Sequence, residues 1–359
     1  MGPRPALTTR GALLLTTGIL VLGGLTAVRL LTPKTQVIHE FTGPTMGTTY
    51  AIKVWGPDLT GTAVADLIDS AVGRLEQVDR LMSTYDSTSE LSRFNRLRDT
   101  IPFALSPETV EVIASAVEVS RQTDGAFDVT VGPLVDAWGF GPGGRPATPP
   151  TDEVLERLSQ SVGYHLLEVD AGAGTAAKSH PDMVVDLSAI AKGYAVDRVA
   201  QALRAGGAAG FLVEVGGELR SEGAKPDGTP WRVAIERPEP GRRSIHQVIE
   251  LGDYAIATSG SYRNYYERDG QRYAHLVDPA TRRPVSHTGA AVSVVASSCM
   301  EADAWATGLS VLGLERGFAL AQRDDVAALF VWQTEAGYSS QATDAFTRIV
   351  DVVPDGTAD

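Results

Sequence analysis

The chain has 359 residues, 43% of them hydrophobic and 21% charged, with one cysteine and a net charge of −13. Such a chain buries a real core, which excludes mainly disordered, collagen-like and disulfide-stapled classes. The acidic balance excludes a general nucleic-acid binder, which needs a basic face to displace counterions. Scattered histidines without His-Glu-x-x-His argue against a histidine-rich metal centre.

Residues 1–36 hold Arg4, Arg10, Arg29 and Lys34 and no acid, so the remainder carries 27 basic against 44 acidic side chains, or −17. Between Arg10 and Arg29 run 18 uncharged residues, 11–28. At 1.5 Å per residue such a helix is about 27 Å long, enough to cross the hydrocarbon layer with little tilt. Positive charge before it predicts a cytoplasmic amino terminus and an external body. We expect a retained membrane anchor, with a cleaved signal peptide as the alternative. The body, 37–359, is expected to be one α+β domain, because strands and helices mix without strict βαβ alternation.

Pro33 to about His39 reads as a linker, and Glu40–Gly56 alternates like a strand with Tyr50, Ile52 and Val54 on one side. Thr62–Met82 spaces Leu67, Val72, Leu75, Val78 and Met82 as a helical stripe. Ser106-Pro107 starts a second helix, which runs to about Thr123 with Gly125 at its end. Gly139, Gly141 and Gly144 match Gly-x-Gly-x-x-Gly, but Arg145-Pro146 follow where a dinucleotide fingerprint needs a helix, so this is a loop. Val184-Val185 reads as a strand end leading through Asp186-Leu187-Ser188 into a helix to about Ala205, stopped by Gly206-Gly207. Phe211–Val215 and Trp231–Ile235 read as buried strands, with Gly216-Gly217 turning between them. Ala290–Ser297 reads as a strand, Ala302 to about Gln322 as a helix, and 326–332 and 345–353 as closing strands.

Asp303 and Thr307 are four apart on that last helix. They share a face and offer only oxygen, which suits a hard cation such as Mg²⁺. Taken alone, Asp303 reads as a helix cap and Thr307 as bonding back to a carbonyl. Asp186–Tyr194 sets an acid at a strand end before a helix start, with small residues and Lys192 in reach. That setting favours phosphate, although alone it reads as a capped surface helix. His275, near Asp278, alone reads as a hydrogen-bonded core histidine. Ser259 lacks a Gly-x-Ser-x-Gly elbow, and Cys299 reads as a small buried hydrophobe.

In order, the segments Thr45–Tyr50, Thr123–Leu134, Asp186–Tyr194, Val215–Glu218, Thr258–Tyr265, His275–Pro279 and Cys299–Thr307 resemble the ApbE family, the FAD:protein FMN transferases, over about residues 40–350. The resemblance implies one ApbE-like catalytic domain of mixed sheets and helices at the extracytoplasmic face of the membrane. It implies an Mg²⁺-dependent enzyme with FAD as substrate. Such an enzyme attaches FMN by a phosphoester to a threonine, or a serine, of a target flavoprotein, a subunit of a membrane redox complex. By this resemblance Met46 contacts the flavin and adenine end with Tyr85 close by, and Ala126, Phe127 and Asp128 line the FAD pocket. Asp186 and Lys192 hold the nucleotide, and Leu276 and Val277 offer backbone contacts. The Ala189 carbonyl, Asp303 and Thr307 hold the metal. His275 is the expected general base, with Asp303 as the alternative. Some relatives carry an acid at the place of Lys192, and some carry one at the place of Ala306.

The chemistry agrees with the residues. Cleaving a pyrophosphate needs a cation to neutralise phosphate charge, and a hydroxyl acceptor on the target removes any need for a nucleophile on this chain. Two other readings keep the same pocket: an FAD pyrophosphatase releasing FMN and AMP, and a non-catalytic FAD-binding protein. Asp303 together with Thr307 argues for catalysis.

Overall fold

The computed structural model describes residues 36–239, 241–286 and 290–354, with Gly2. The expected anchor, 11–28, lies outside these residues, and among them no helix is long and apolar enough to cross a membrane. The chain divides into a unit Met1–Val37 and a unit Ile38–Asp359. All the elements described belong to the second.

The stretch that alternates like one strand forms a hairpin. Strand β1 (His39–Thr45) pairs antiparallel with β2 (Thr48–Trp55), Thr45 opposite Thr48. Met46 (φ 46) and Gly47 (φ 71) make the turn, a two-residue loop with both dihedrals positive, which matches the strand twist. Alternation continues through the turn, so only Gly47 signals it.

Six further strands extend the hairpin into an eight-stranded sheet: β3 (Gly210–Val215), β4 (Glu218–Glu222), β5 (Ala255–Gly260), β6 (Ala290–Ala296), β7 (Ala327–Thr334) and β8 (Gly337–Ala342). Every neighbouring pair is antiparallel and the order along the sheet follows the chain. Gly216 (φ 64) and Gly217 (φ 112) turn β3 into β4, not into the 231–235 segment as expected. A two-residue turn pairs the residues directly after it, however polar they are. Trp231–Ile235 supplies most of strand Arg232–Glu236, which pairs in a separate sheet with Ile245–Glu250 and Asp351–Val353. The expected closing strand 345–353 is mostly helix: Thr343 caps Asp344–Ile349 and only Asp351–Val353 is extended.

The long helices are α1 (Thr62–Met82), α2 (Pro107–Gln122), α3 (Ala191–Ala205) and α4 (Cys299–Arg323). The bounds of α1 and α2 are those the apolar stripe and the Ser106 cap predict. α3 begins later than expected because Asp186 Oδ1 accepts the Ser188 N–H and O–H, closing a turn first. α4 begins three residues before Ala302, capped by Ser298, and breaks at Gly313 (φ 75), a dihedral glycine adopts without strain.

Strand periodicity separates the two faces of the sheet. Ile52, Val54, Phe211 and Val213 pack with Leu67, Leu75 and Val78 of α1 and Val199 and Leu203 of α3. Ala257, Val294 and Phe330 meet Ala302, Ala306 and Leu309 of α4. Intervening residues Ile256, Val295, Leu329 and Val331 turn the other way, onto Val233, Ile235, Ile249 and Phe346. Each large side chain so buried contributes about 1.5–3 kcal/mol. The result is α+β, with the long helices on one face and the small sheet with the short helix Asp344–Ile349 on the other.

Candidate active site

α3 and α4 cap each other. The residue before α3, Ile190, offers no side-chain oxygen. Instead Asp303 Oδ2, from α4, accepts the Gly193 N–H at 3.1 Å. In return Asp197 of α3 accepts the N–H groups of Cys299 (3.0 Å) and Met300 (2.9 Å) and the Ser298 hydroxyl (2.9 Å), while Arg220 donates to it at 2.7 Å. Carboxylates at helix amino termini are favoured by the helix dipole. The contact demands glycine at 193, where a Cβ would lie 2.3 Å from the Cys299 carbonyl oxygen and 2.9 Å from Asp303 Cβ. Asp303 is therefore not the cap of its own helix, as the local pattern suggests. Ser298 takes that part, and Asp303 sits a turn further on, 4% exposed.

Lys192 lies beside this contact. Its Nζ is 2.9 Å from Glu218 Oε1 and 3.7 Å from Asp303 Oδ2. Glu218 is 5% exposed, the first residue of β4 after the glycine turn. Gly216 packs among these groups: a Cβ there would meet Thr48 Cγ2 at 3.0 Å and Glu218 Oε2 and Lys192 Cδ at 3.3 Å. The Gly216 N–H donates to the Thr49 carbonyl at 3.1 Å, so the turns at 46–47 and 216–217 lie side by side. Burial pushes the Asp303 carboxyl up to about 7, with the Lys192 ammonium opposing and the Glu218 charge adding. Burial also works against the Lys192 ammonium, but the Asp303 and Glu218 carboxylates outweigh it and hold its pKa above the ordinary lysine value.

Two buried carboxylates thus face one ammonium, and Glu218 Oε2 has no hydrogen-bond partner. An excess negative charge set among hard oxygen donors fits a cation such as Mg²⁺. Among the described residues no three His, Cys, Asp or Glu side chains cluster as metal ligands. Asp303 would need oxygen donors of another kind, and Thr307 one turn along the helix has one.

His275 is half-buried. Its Nδ1 lies 3.1 Å from the Asn264 carbonyl oxygen, which only accepts, so Nδ1 carries the proton and Nε2 keeps a free lone pair. Burial, with the Lys192 charge adding, lowers its pKa below the ordinary histidine value, while the Asn264 bond opposes. Phe140 meets its ring edge-on at 6.4 Å. Tyr85, 71% exposed, donates to the Phe140 carbonyl at 3.3 Å. Partial shielding of its hydroxyl from water raises its pKa, with the Asp186 and Asp136 charges adding.

The remaining expected residues are placed mainly by packing. Phe127 is buried against Gly308, next to Thr307. Ala126 shares a small apolar cluster with Leu276, whose carbonyl accepts the Val285 N–H at 2.9 Å. Val277 is buried beside Trp138 and Tyr273. The Asp128 carboxylate turns inward, accepting from Thr130 N–H and O–H and from Tyr164 N–H, and burial raises its pKa. Met46 is part-buried at its hairpin tip. The Cys299 thiol is fully buried and burial pushes its pKa well up, so it is inert. Sequence reasoning gave Glu218 no role; its signal was its place directly after Gly216-Gly217.

The fold has close counterparts among solved structures. Flavin transferase ApbE from Vibrio cholerae matches with a TM-score of 0.80 and 44% identity, covering 87% of this chain and 99% of that one. The apo Pseudomonas stutzeri flavinyl transferase ApbE also matches at 0.80, with 39% identity over 89% of this chain and 98% of that one. The fold is that of the flavin-transferase class of enzymes. The model of the ApbE family matches residues 46–330, and the chain belongs to that family. Among its curated relatives, a Vibrio cholerae protein named FAD:protein FMN transferase is 46% identical over 88% of this chain and 92% of its own length. One of the same name from Salmonella typhimurium is 39% identical over 88% and 89%.

Proposed function

We propose that the chain transfers FMN from FAD to a threonine, or a serine, hydroxyl of a target flavoprotein, releasing AMP. The observation that carries this reading is the junction of Lys192, Glu218 and Asp303, where buried anionic charge exceeds cationic charge at the meeting of two helix starts. The family membership and the names of the relatives support it.

Asp303, Thr307 and the Ala189 carbonyl would hold Mg²⁺, which when bound supplies neutralisation of the pyrophosphate oxygens and of the leaving phosphate. Lys192, fixed by Glu218, would add a positive charge toward the same phosphates. His275 Nε2, the nitrogen left with the lone pair because Nδ1 donates to Asn264, and favoured in the neutral ring by burial, takes the proton of the target hydroxyl. The hydroxyl oxygen forms a bond to the phosphorus on the FMN side. The phosphoanhydride bond breaks and its electron pair leaves with AMP. Met46 and Tyr85 would border the flavin, with Ala126–Asp128 and Leu276-Val277 shaping the pocket from behind. We place this reaction at the extracytoplasmic face of the membrane, with residues 11–28 as the anchor and a membrane redox complex supplying the target subunit.

Incubation with FAD, Mg²⁺ and a threonine-bearing target tests the reaction. A fluorescent target band on a denaturing gel is expected. Free FMN and AMP with an unlabelled target would replace transfer by hydrolysis, and intact FAD would leave a binding protein.

A further inference from the structure

Glu218 is the least expected group in the junction. Its carboxylate is buried, one oxygen meets Lys192 at 2.9 Å and the other has no partner. A buried carboxylate with so little compensation costs stability, so its presence calls for another reason. Lys192 supplies one. Its ammonium has two anionic neighbours and lies closer to Glu218 (2.9 Å) than to Asp303 (3.7 Å). Asp303 is the carboxylate on which the cation reading depends. An ammonium seated fully on Asp303 would compete with that cation.

We propose that Glu218 is a positioning residue that draws the Lys192 ammonium off Asp303, leaving the Asp303 carboxylate open to a divalent cation. The backbone fixes the arrangement. The left-handed pair Gly216-Gly217 delivers Glu218 at the first residue of β4, and Gly216, lacking a Cβ, lets the Lys192 stem pass beside it. Lys192 itself leaves from the first turn of α3, one residue before the Gly193 amide that binds Asp303. The lysine is therefore held between two acids that approach it from different elements, and the shorter contact decides which acid remains available. This inference rests on the proposed cation site.

Direct binding of Mn²⁺ to the full chain, without FAD and read by electron paramagnetic resonance, tests it apart from turnover. Glu218→Gln keeps a hydrogen-bond acceptor but loses the charge that holds the ammonium. It is expected to raise the Mn²⁺ dissociation constant about tenfold. Lys192→Met removes the competitor and is expected to tighten Mn²⁺ binding, an outcome that damage to the fold does not produce. In the Lys192→Met background, Glu218→Gln is expected to change Mn²⁺ affinity by less than about threefold. An undiminished tenfold loss there would make Glu218 a direct ligand and overturn the proposal. Equal Mn²⁺ affinity in the wild-type chain and Glu218→Gln would overturn it while leaving the cation site standing. Failure of the wild-type chain to bind Mn²⁺ would remove the cation site and this inference together.

Discussion

The Gly193 amide donates to Asp303 Oδ2 at 3.1 Å across 110 positions of sequence, joining the first turn of α3 to the second turn of α4. With Asp197 accepting the amides of Cys299 and Met300 in the opposite direction, each helix supplies the cap the other lacks. Four orphan N–H groups begin every α-helix, and here some of them are satisfied by carboxylates from the neighbouring helix. Lys192 and Asp303 are held together by this exchange.

Gly193→Ala tests the approach. A Cβ 2.3 Å from the Cys299 carbonyl oxygen cannot be accommodated without parting the helices. Overpacking of this kind costs about 1–3 kcal/mol. A fall in thermal midpoint, with weakened Mn²⁺ binding, is the expected result.

Asp303→Ala and Asp303→Asn separate structure from chemistry. Alanine strips the acceptor from a buried Gly193 N–H, a loss of about 1–3 kcal/mol. Asparagine keeps an acceptor, so its unfolding free energy should stay within about 1 kcal/mol of wild type. Both should lose cation-dependent FMN transfer by about a thousandfold or more. Full turnover in the asparagine variant would refute the part given to Asp303.

His275 sets a pH dependence. A base acts unprotonated, so activity should rise with pH through its pKa and level off above it. Burial places that pKa below the ordinary value of 6.5, so the His275 limb of kcat/KM lies on the acid side of pH 6.5, apart from any limb that Asp303 sets near 7. His275→Gln should remove this limb and cost about 10²–10⁴-fold in transfer, with FAD affinity largely kept. A limb surviving in the variant would assign it to another group.

Asp197→Ala leaves the Cys299 and Met300 amides and Arg220 without their common acceptor. Losing one partner of such a part-buried network costs about 3 kcal/mol. Chemical denaturation should show that loss, and hydrogen exchange should show the first turn of α4 opening.

Much of the secondary structure is legible locally. The stripe of Leu67, Leu75, Val78 and Met82 set α1, and Ser106-Pro107 set the start of α2. The failures share one cause. Residues 40–56 hide a hairpin because alternation runs unbroken through Met46-Gly47. β4 escaped notice because Glu218–Glu222 is polar, its partners being fixed by the turn before it. Residues 345–353 look extended, yet the Thr343 hydroxyl caps a helix over their first half.

By itself the sequence determined the α+β class, the long helices and the family, because each is written in neighbouring residues or in ordered short segments. Only the tertiary structure decided that Asp303 serves another helix rather than its own, and that Glu218 pairs with Lys192. Those relationships depend on which strands pair and how closely two helices approach. Such long-range distances are set by sheet register and by one missing Cβ, not by local periodicity.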